Sequence, residues 1–372
     1  MSAPMIVLAG GGTAGHVNPL LALAERLPAE LPGVQLKVLG TAAGLEADLV
    51  PAAGLDLVTI EKVPLPRRPS AEWLTLPGRW RRAMATATSV VSGADLVVGF
   101  GGYVSAPAYL AARRAGVPIV VHEQNARPGL ANRLGARYAA AVGITFPGTA
   151  LRAGELVGLP LRASIADLIR RREQDADATA RAGARALGLD PDRRTVLVTG
   201  GSLGAARLNQ VLPGIGPDLI EAGAQVLHLT GRGKADPVHQ ATADMAQSQH
   251  YHVREYLMEM EHALACADLV IARAGAGTVS ELTALGIPAV YVPLPIGNGE
   301  QALNAGPVVT AGGALMVADE DLTGGWLAEH VLPLMRRDEE LARLRSAAFR
   351  AGITDGADRL ARMVTTVLEQ RG

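Results

Sequence analysis

Short apolar runs alternate with glycine-rich loops and helical patterns along most of the chain. In the first half the runs at 5–9, 34–39, 57–63, 95–100 and 119–122 read as strands. In the second half the runs after Val196, at 225–230, 253–257, 269–272, 289–292 and 315–317 do the same. They are nearly continuous in Val, Leu and Ile rather than alternating, which marks strands covered on both faces, as in parallel sheets. Helical periodicity fills the gaps, as at 17–27, where Pro19 falls in the tolerated first turn. It also covers 278–285, runs on from Leu327, and marks a last helix over 354–370.

The most informative stretch is 267–295, a strand, a small-residue loop, a helix stopped by Gly286 and Pro288, and a second strand. Gly275 and Gly277 let backbone come close to a ligand, and the helix start would favour an anion. Thr278-Val279-Ser280-Glu281 also fits a capping box in which Glu281 serves only its own helix. Both readings stay open on these residues alone.

The pattern repeats. ADLVVGFGGYVS from residue 94 matches ADLVIARAGAGTVS from residue 267, and IVLAGGGTAGH from residue 6 resembles VLVTGGSLGAA from residue 196. The copies lie roughly 175 and 190 residues apart, in the same order. The expected architecture is α/β, with two similar doubly wound parallel-sheet domains and ligands in a cleft at the carboxyl ends of their strands. The domains are expected at 1–160 and 195–349, joined by 161–194, with 350–372 packing back on the first. G-x-G-x-x-G can be read across Gly10, Gly12 and Gly15, but no acidic residue stands at Gly40-Thr41 where a dinucleotide site wants one; Glu46 and Asp48 come later.

Charge adds an asymmetry. The net of −1 divides into +4 over 1–160 and −5 over the remainder, so one side is expected to face an anionic partner. Trp73, Leu74, Leu76 and Trp80 cluster with Arg79, Arg81 and Arg82, and two of the chain's three tryptophans are here. Apolar anchors beside arginine suit an anionic membrane surface, the alternative being inward tryptophans under a solvated face. The one cysteine, Cys266, excludes a disulfide framework and suits a small buried hydrophobe. No basic leader precedes the first strand, and no apolar run reaches membrane-spanning length. His250, His252 and His262 near Glu255 and Glu259 meet no metal-ligand spacing. No nucleic-acid-binding signature accompanies the basic patch, so no nucleic-acid partner is expected.

Several motifs in one order carry a resemblance. They are Gly11-Gly12-Thr13-Ala14-Gly15-His16, Gly101-Gly102-Tyr103-Val104-Ser105, His122-Glu123-Gln124-Asn125, Gly200-Gly201-Ser202, Ala276-Gly277-Thr278-Val279-Ser280-Glu281, and Gln301 with Asn304-Ala305. Over nearly its whole length the chain resembles the MurG family, UDP-N-acetylglucosamine transferases that convert lipid I to lipid II in peptidoglycan synthesis. The resemblance implies the two-Rossmann GT-B fold, inversion at the transferred sugar, no cofactor or metal, and a peripheral place on the cytoplasmic face of the bacterial membrane. It implies that Ser202, Arg162 and Ala276, Gly277, Thr278, Val279, Ser280 and Glu281 surround UDP-N-acetylglucosamine, with Glu281 on the ribose, Leu257 at the uracil and Gln301 at the sugar. Thr13, Ala14, Gly15, His16 and Asn125 would line the acceptor side. His16 is the candidate base, with orientation of the acceptor as its alternative role, and Tyr103 and Glu123 are further contributors. The Trp73–Trp80 patch would meet the anionic inner leaflet that carries lipid I. The chain departs from the family at Ala14, Leu203, Ala274, Glu300 and the loop 293–299. A UDP-N-acetylglucosamine 2-epimerase and a non-enzymatic nucleotide-sugar-binding protein are the other readings of the same fold; the first would need no lipid acceptor and so no tryptophan–arginine patch, and the second would tolerate loss of His16.

Overall fold

The structure is a computed structural model that describes residues 3–63, 72–201, 205–296 and 298–371, with side chains in the helix beginning at Glu72 described from Thr75 onward. The chain divides into two compact units, residues 1–162 with 355–372, and residues 163–354.

In the first unit, β1 (Met5–Gly10), α1 (Ala14–Glu30), β2 (Gln35–Gly40), α2 (Glu46–Ala52) and β3 (Asp56–Thr59) come first. Then follow α3 (Glu72–Val91), β4 (Leu96–Gly101), α4 (Ser105–Ala115), β5 (Ile119–Glu123), α5 (Leu130–Gly135), β6 (Ala141–Ile144) and β7 (Gly154–Leu156). Among the described residues the seven strands form one parallel sheet, in the order β3-β2-β1-β4-β5-β6-β7. Its middle strands are fully buried, Ile6 to Leu8 and Leu96 to Val98 showing no exposed surface. That explains their unbroken apolar sequence, because helices cover both faces. The order reverses between β1 and β4, where doubly wound sheets open a crevice at their carboxyl ends.

The second unit has α6 (Ala163–Gln174), α7 (Ala176–Ala186), β8 (Arg194–Thr199), α8 (Ala206–Glu221), β9 (Ala224–Leu229), α9 (Asp236–Thr242) and β10 (Tyr251–Arg254). It continues with α10 (Met260–Cys266), β11 (Ala267–Ala272), α11 (Ala276–Ala284), β12 (Ala289–Tyr291), α12 (Glu300–Thr310) and β13 (Ala314–Met316). Three helices close it, α13 (Gly324–His330), α14 (Leu332–Arg336) and α15 (Asp338–Ala351). Its six described strands are also parallel, ordered β10-β9-β8-β11-β12-β13, with the reversal between β8 and β11. Both units thus have the doubly wound topology expected from the repeated motifs. The segment 161–194 carries α6 and α7, which pack on α10.

The last helix, α16 (Gly356–Glu369), belongs to the first unit. Leu360, Ala361, Met363, Val364 and Val367 bury against the cluster that holds Leu20, Leu23 and Leu27 of α1. Each large side chain buried there contributes about 1.5–3 kcal/mol. An ion pair between Arg26 and Asp358 adds little beside that. Gly356 is required at its position, because a Cβ would stand 2.5 Å from the Leu159 carbonyl oxygen.

Candidate active site

The glycine loop after β1 and the loop after β4 meet at the first unit's switch point. Gly102 has a positive φ of 82°. A Cβ there would stand 2.5 Å from the Gly11 carbonyl oxygen, so only glycine permits this approach. Ser105 Oγ ties the second loop down. It accepts the Gly101 amide at 3.0 Å and lies 2.9 Å from the Ala9 carbonyl oxygen.

His16 lies in the first turn of α1, half-buried, with Thr13 Oγ1 3.0 Å from its Nδ1. Its ring stands over Gly101, where a Cβ would come 3.2 Å from Nε2. Desolvation pulls the imidazole pKa below its ordinary 6.5, against opposing contributions from the Gly11 backbone and the Glu46 charge. At neutral pH the ring is therefore uncharged and carries a lone pair able to take a proton. Thr13, Ala14 and Gly15 are exposed beside it. No side chain caps α1 and its first turn holds no acid, so amides at the helix start remain open to an anion.

Glu123, at the end of β5, does not face solvent. Its Oε1 accepts the Asn125 amide at 2.9 Å, and its Oε2 accepts the Gly129 amide at 3.0 Å and Asn132 Nδ2 at 2.9 Å. Burial pushes its pKa up, with those three hydrogen bonds opposing. The carboxylate thus shapes the turn that bears Asn125. Tyr109 donates to Asn132 Oδ1 at 2.8 Å and extends this network. Tyr103 remains exposed, with the Lys62 ammonium 5.5 Å from its ring centre.

In the second unit the loop between β11 and α11 carries the key geometry. Gly275 is the N-cap of α11, extended at φ −62° and ψ 149°, and no side chain caps the helix. The helix starts at Ala276, so Glu281 sits nearly two turns in and cannot reach the cap. The capping-box reading of Thr278 to Glu281 therefore fails, and the amides at the helix start stay open to an anion. Gly277, Thr278 and Glu281 are partly accessible, whereas Val279 and Ser280 are buried at 2% and 8% exposure and can offer a ligand little beyond backbone.

Gln301, in the first turn of α12, points its carboxamide oxygen at two amides, Ala274 at 3.1 Å and Leu294 at 2.9 Å. It therefore joins two loops at the carboxyl edge of the sheet. Asn304, fully buried, donates to the Ala274 carbonyl at 3.2 Å. Arg273 reaches the carbonyls of Val292 and Pro293 and pairs with Asp319 at 2.5 Å. Leu257, half-buried, follows the end of β10, and Arg162, also half-buried, ends the first stretch of the first unit. Ser202 and Leu203 lie outside the described residues.

Trp73 and Leu74 likewise fall outside the described side chains. Leu76 and Trp80 pack partly inward against the cluster under α3. Arg79 and Arg82 both bond Glu61, at 3.0 Å and 2.8 Å, while Arg81 projects to solvent. No described helix is long and apolar enough to cross a membrane.

Sequence reasoning missed Glu46. Its position well after the end of β2 placed it outside the expected acidic position, yet its carboxylate folds back to Thr41 and Gly12. The flanking Gly40 and Gly44, which make room for it, are the signal that marks it. The Arg273–Asp319 pair, between residues far apart in sequence, left no local signal.

Two family models cover the chain, the glycosyltransferase family 28 N-terminal domain over residues 6–144 and its C-terminal domain over 195–360. A UDP-N-acetylglucosamine–N-acetylmuramyl-(pentapeptide) pyrophosphoryl-undecaprenol N-acetylglucosamine transferase of Bifidobacterium longum is 53% identical, over 98% of each chain. The crystal structure of Acinetobacter baumannii MurG is similar with a TM-score of 0.77 and 27% identity, over 98% of this chain and 99% of that one. UDP-GlcNAc 2-epimerase from Neisseria meningitidis, bound to UDP-GlcNAc, gives a TM-score of 0.71 over 98% and 99% of the chains. Its 13% identity carries the fold alone. The chain belongs to glycosyltransferase family 28, among the N-acetylglucosamine transferases named for the undecaprenol-linked muramyl pentapeptide.

Proposed function

We propose that the chain transfers N-acetylglucosamine from UDP-N-acetylglucosamine to the 4-hydroxyl of the N-acetylmuramyl sugar of lipid I, giving lipid II for peptidoglycan synthesis. The observation that carries this reading is the full-length match to transferases bearing that name. The first unit takes the acceptor and the second the sugar nucleotide. Neutral His16 removes the proton of the attacking hydroxyl. The oxygen bonds to the sugar's anomeric carbon as the bond to UDP breaks, with inversion. Charge appearing on UDP is met by the uncapped start of α11 and by Arg162. Glu281 serves the ribose, Leu257 the uracil, and Gln301 the sugar through its amide nitrogen, its oxygen being engaged by the two loops. Thr13, Ala14, Gly15 and Asn125 contact the acceptor.

Trp80, Leu76 and the basic residues of α3 rest on the anionic cytoplasmic leaflet that carries lipid I. Arg81 is the best placed of the described arginines for this contact, being exposed and outside the Glu61 pairs.

The test is sugar transfer from labelled UDP-N-acetylglucosamine to a lipid I analogue by wild type and His16→Ala. Wild-type transfer with a drop of at least about a hundredfold in His16→Ala supports both the reaction and the base. Epimerised sugar or free UDP without transfer would overturn the transferase reading.

A further inference from the structure

The residue that most shapes the acceptor loop has no part in the reaction as set out above. Glu46, the first residue of α2, has no exposed surface. Its two carboxylate oxygens do different work. Oε1 accepts the Thr41 amide at 2.9 Å and the Thr41 hydroxyl at 2.7 Å. Oε2 accepts the Gly12 amide at 2.9 Å, across thirty-four positions of sequence. Three glycines surround it. A Cβ at Gly11, Gly40 or Gly44 would come within 2.4, 2.7 or 2.1 Å of Glu46 side-chain atoms. The three glycines thus leave room for the Glu46 side chain, Gly40 for Leu57 as well.

The Gly12 amide matters because of where it lies. Gly12 is held at φ +90°, in the loop after β1, one turn before His16. In doubly wound folds the amides of this loop are offered to a ligand phosphate. Here an internal carboxylate takes one of them. The loop is then fixed before any ligand arrives, and a negative charge stands near the His16 ring.

We propose that Glu46 is a positioning residue for the acceptor half of the reaction, its carboxylate locking the Gly10–Thr13 loop and holding a fixed charge beside His16. This rests on the reading of His16 as the base. Burial pushes the carboxyl pKa up, but the bonds from Thr41 and Gly12 outweigh it and keep the pKa below the ordinary value. The charge is therefore present throughout the working pH range. With the Gly12 amide occupied, the first unit has lost a donor that a nucleotide diphosphate would need, and UDP-sugar binding is left to the second unit.

Glu46→Gln separates this role from simple packing, because it keeps the volume. The amide NH2 must face either the Gly12 N–H or the Thr41 N–H, and one of those bonds becomes a donor–donor clash. Glu46→Asp keeps the charge but is one methylene too short to span both loops. The experiment compares wild type, Glu46→Gln, Glu46→Asp, His16→Ala and the Glu46→Gln/His16→Ala double variant of the full chain. It measures UDP-N-acetylglucosamine binding, kcat and KM for a lipid I analogue, and the pH dependence of kcat/KM.

The expected result for Glu46→Gln is donor binding within about twofold of wild type and acceptor kcat/KM lowered about tenfold or more. Its acidic limb moves to lower pH, since the ring has lost a stabilising negative neighbour. Glu46→Asp loses acceptor kcat/KM with its acidic limb in place. In the His16→Ala background Glu46→Gln adds much less than it costs alone. Wild-type acceptor kinetics with an unmoved limb in Glu46→Gln would overturn the proposal, as would a loss shared equally by donor binding. If Glu46→Gln does not fold, Glu46→Asp decides by the split between acceptor and donor. If His16→Ala turns over normally, the base reading falls by itself, and the acceptor kinetics of Glu46→Gln still decide whether Glu46 positions the loop.

Discussion

The carboxamide oxygen of Gln301 accepts the backbone N–H of Ala274 at 3.1 Å, although the two are 27 positions apart. The same oxygen accepts Leu294 at 2.9 Å. Its NH2 group makes no hydrogen bond to the described residues. Gln301→Glu keeps an oxygen for the two loops, and replaces the NH2 proposed to meet the donor sugar with a negatively charged acceptor. The expected outcome is an unchanged melting temperature with a rise of about tenfold in KM for UDP-N-acetylglucosamine, about 1.4 kcal/mol. Gln301→Leu should instead lower the melting temperature as well, because the part-buried Ala274 amide and the more exposed Leu294 amide both lose their acceptor. Thermal unfolding alongside steady-state kinetics on both variants checks this, and normal donor KM in Gln301→Glu would reduce Gln301 to a loop clamp.

Desolvation holds His16 below its ordinary pKa of 6.5. A base must be unprotonated, so transfer should be at full rate at pH 7 and decline only as pH falls below 6.5. The acidic limb of log kcat/KM should have unit slope and disappear in His16→Ala, leaving a low, flat profile. A limb that persists unchanged in His16→Ala would belong to another group.

The strands and both glycine loops were legible in the sequence for a simple reason. Parallel strands covered on both sides are apolar runs, and loops such as Gly101-Gly102 take positive-φ backbone that other residues rarely adopt. The start of α11 was not legible to the residue. Gly275 takes the extended N-cap conformation, which sets the helix start two residues before Thr278 and removes Glu281 from capping. The direction of Leu76 and Trp80 was hidden too, since which face of α3 turns inward is settled by the cluster under it. Glu46 could not be read as a loop partner, because its contact with Gly12 depends on β1 and β2 lying side by side.

Each unit buries one histidine whose cost is readable as a pH effect. His122 donates or accepts only within the fold, at the Gly158 carbonyl and Gln124, and burial pulls its pKa down to about 4. His228 lies between Tyr251 and Asn209 and is pulled down to about 4 as well, again by burial. Unfolded, each ring takes a proton near pH 6.5, so between about 6.5 and 4 the unfolded chain binds more protons than the folded one. Stability must therefore fall as pH falls through that window, by on the order of 3 kcal/mol for each histidine. Denaturant unfolding at pH 7, 6, 5 and 4 should show this loss. In His122→Gln or His228→Gln the level is lower at pH 7, the slope is shallower, and the gap to wild type closes toward pH 4. An unaltered slope in both variants would assign the acid sensitivity elsewhere.

The way α3 meets a membrane should depend on one acidic residue beside its arginines. Glu61 binds Arg79 and Arg82, and those two guanidiniums hold its carboxyl below the usual range. The positive charge of the patch is thereby partly cancelled within the protein, and Arg81 carries the free share. A basic residue near an anionic surface strengthens binding about fivefold. Arg81→Gln should accordingly weaken binding to vesicles of anionic lipid about fivefold, with little effect on neutral vesicles. Glu61→Gln should do the reverse, releasing Arg79 and Arg82 and tightening binding to the anionic vesicles. Both effects should shrink in high salt, as expected for screened charges. Vesicle sedimentation with the two variants, at low and high salt, reads all of this. The pair of opposite signs is the sensitive part, because misfolding or lost packing could mimic a weaker Arg81 variant but not a tighter Glu61 one. If Glu61→Gln leaves binding where it was, the arginines of α3 do not face the bilayer, and the contact must be sought on another surface.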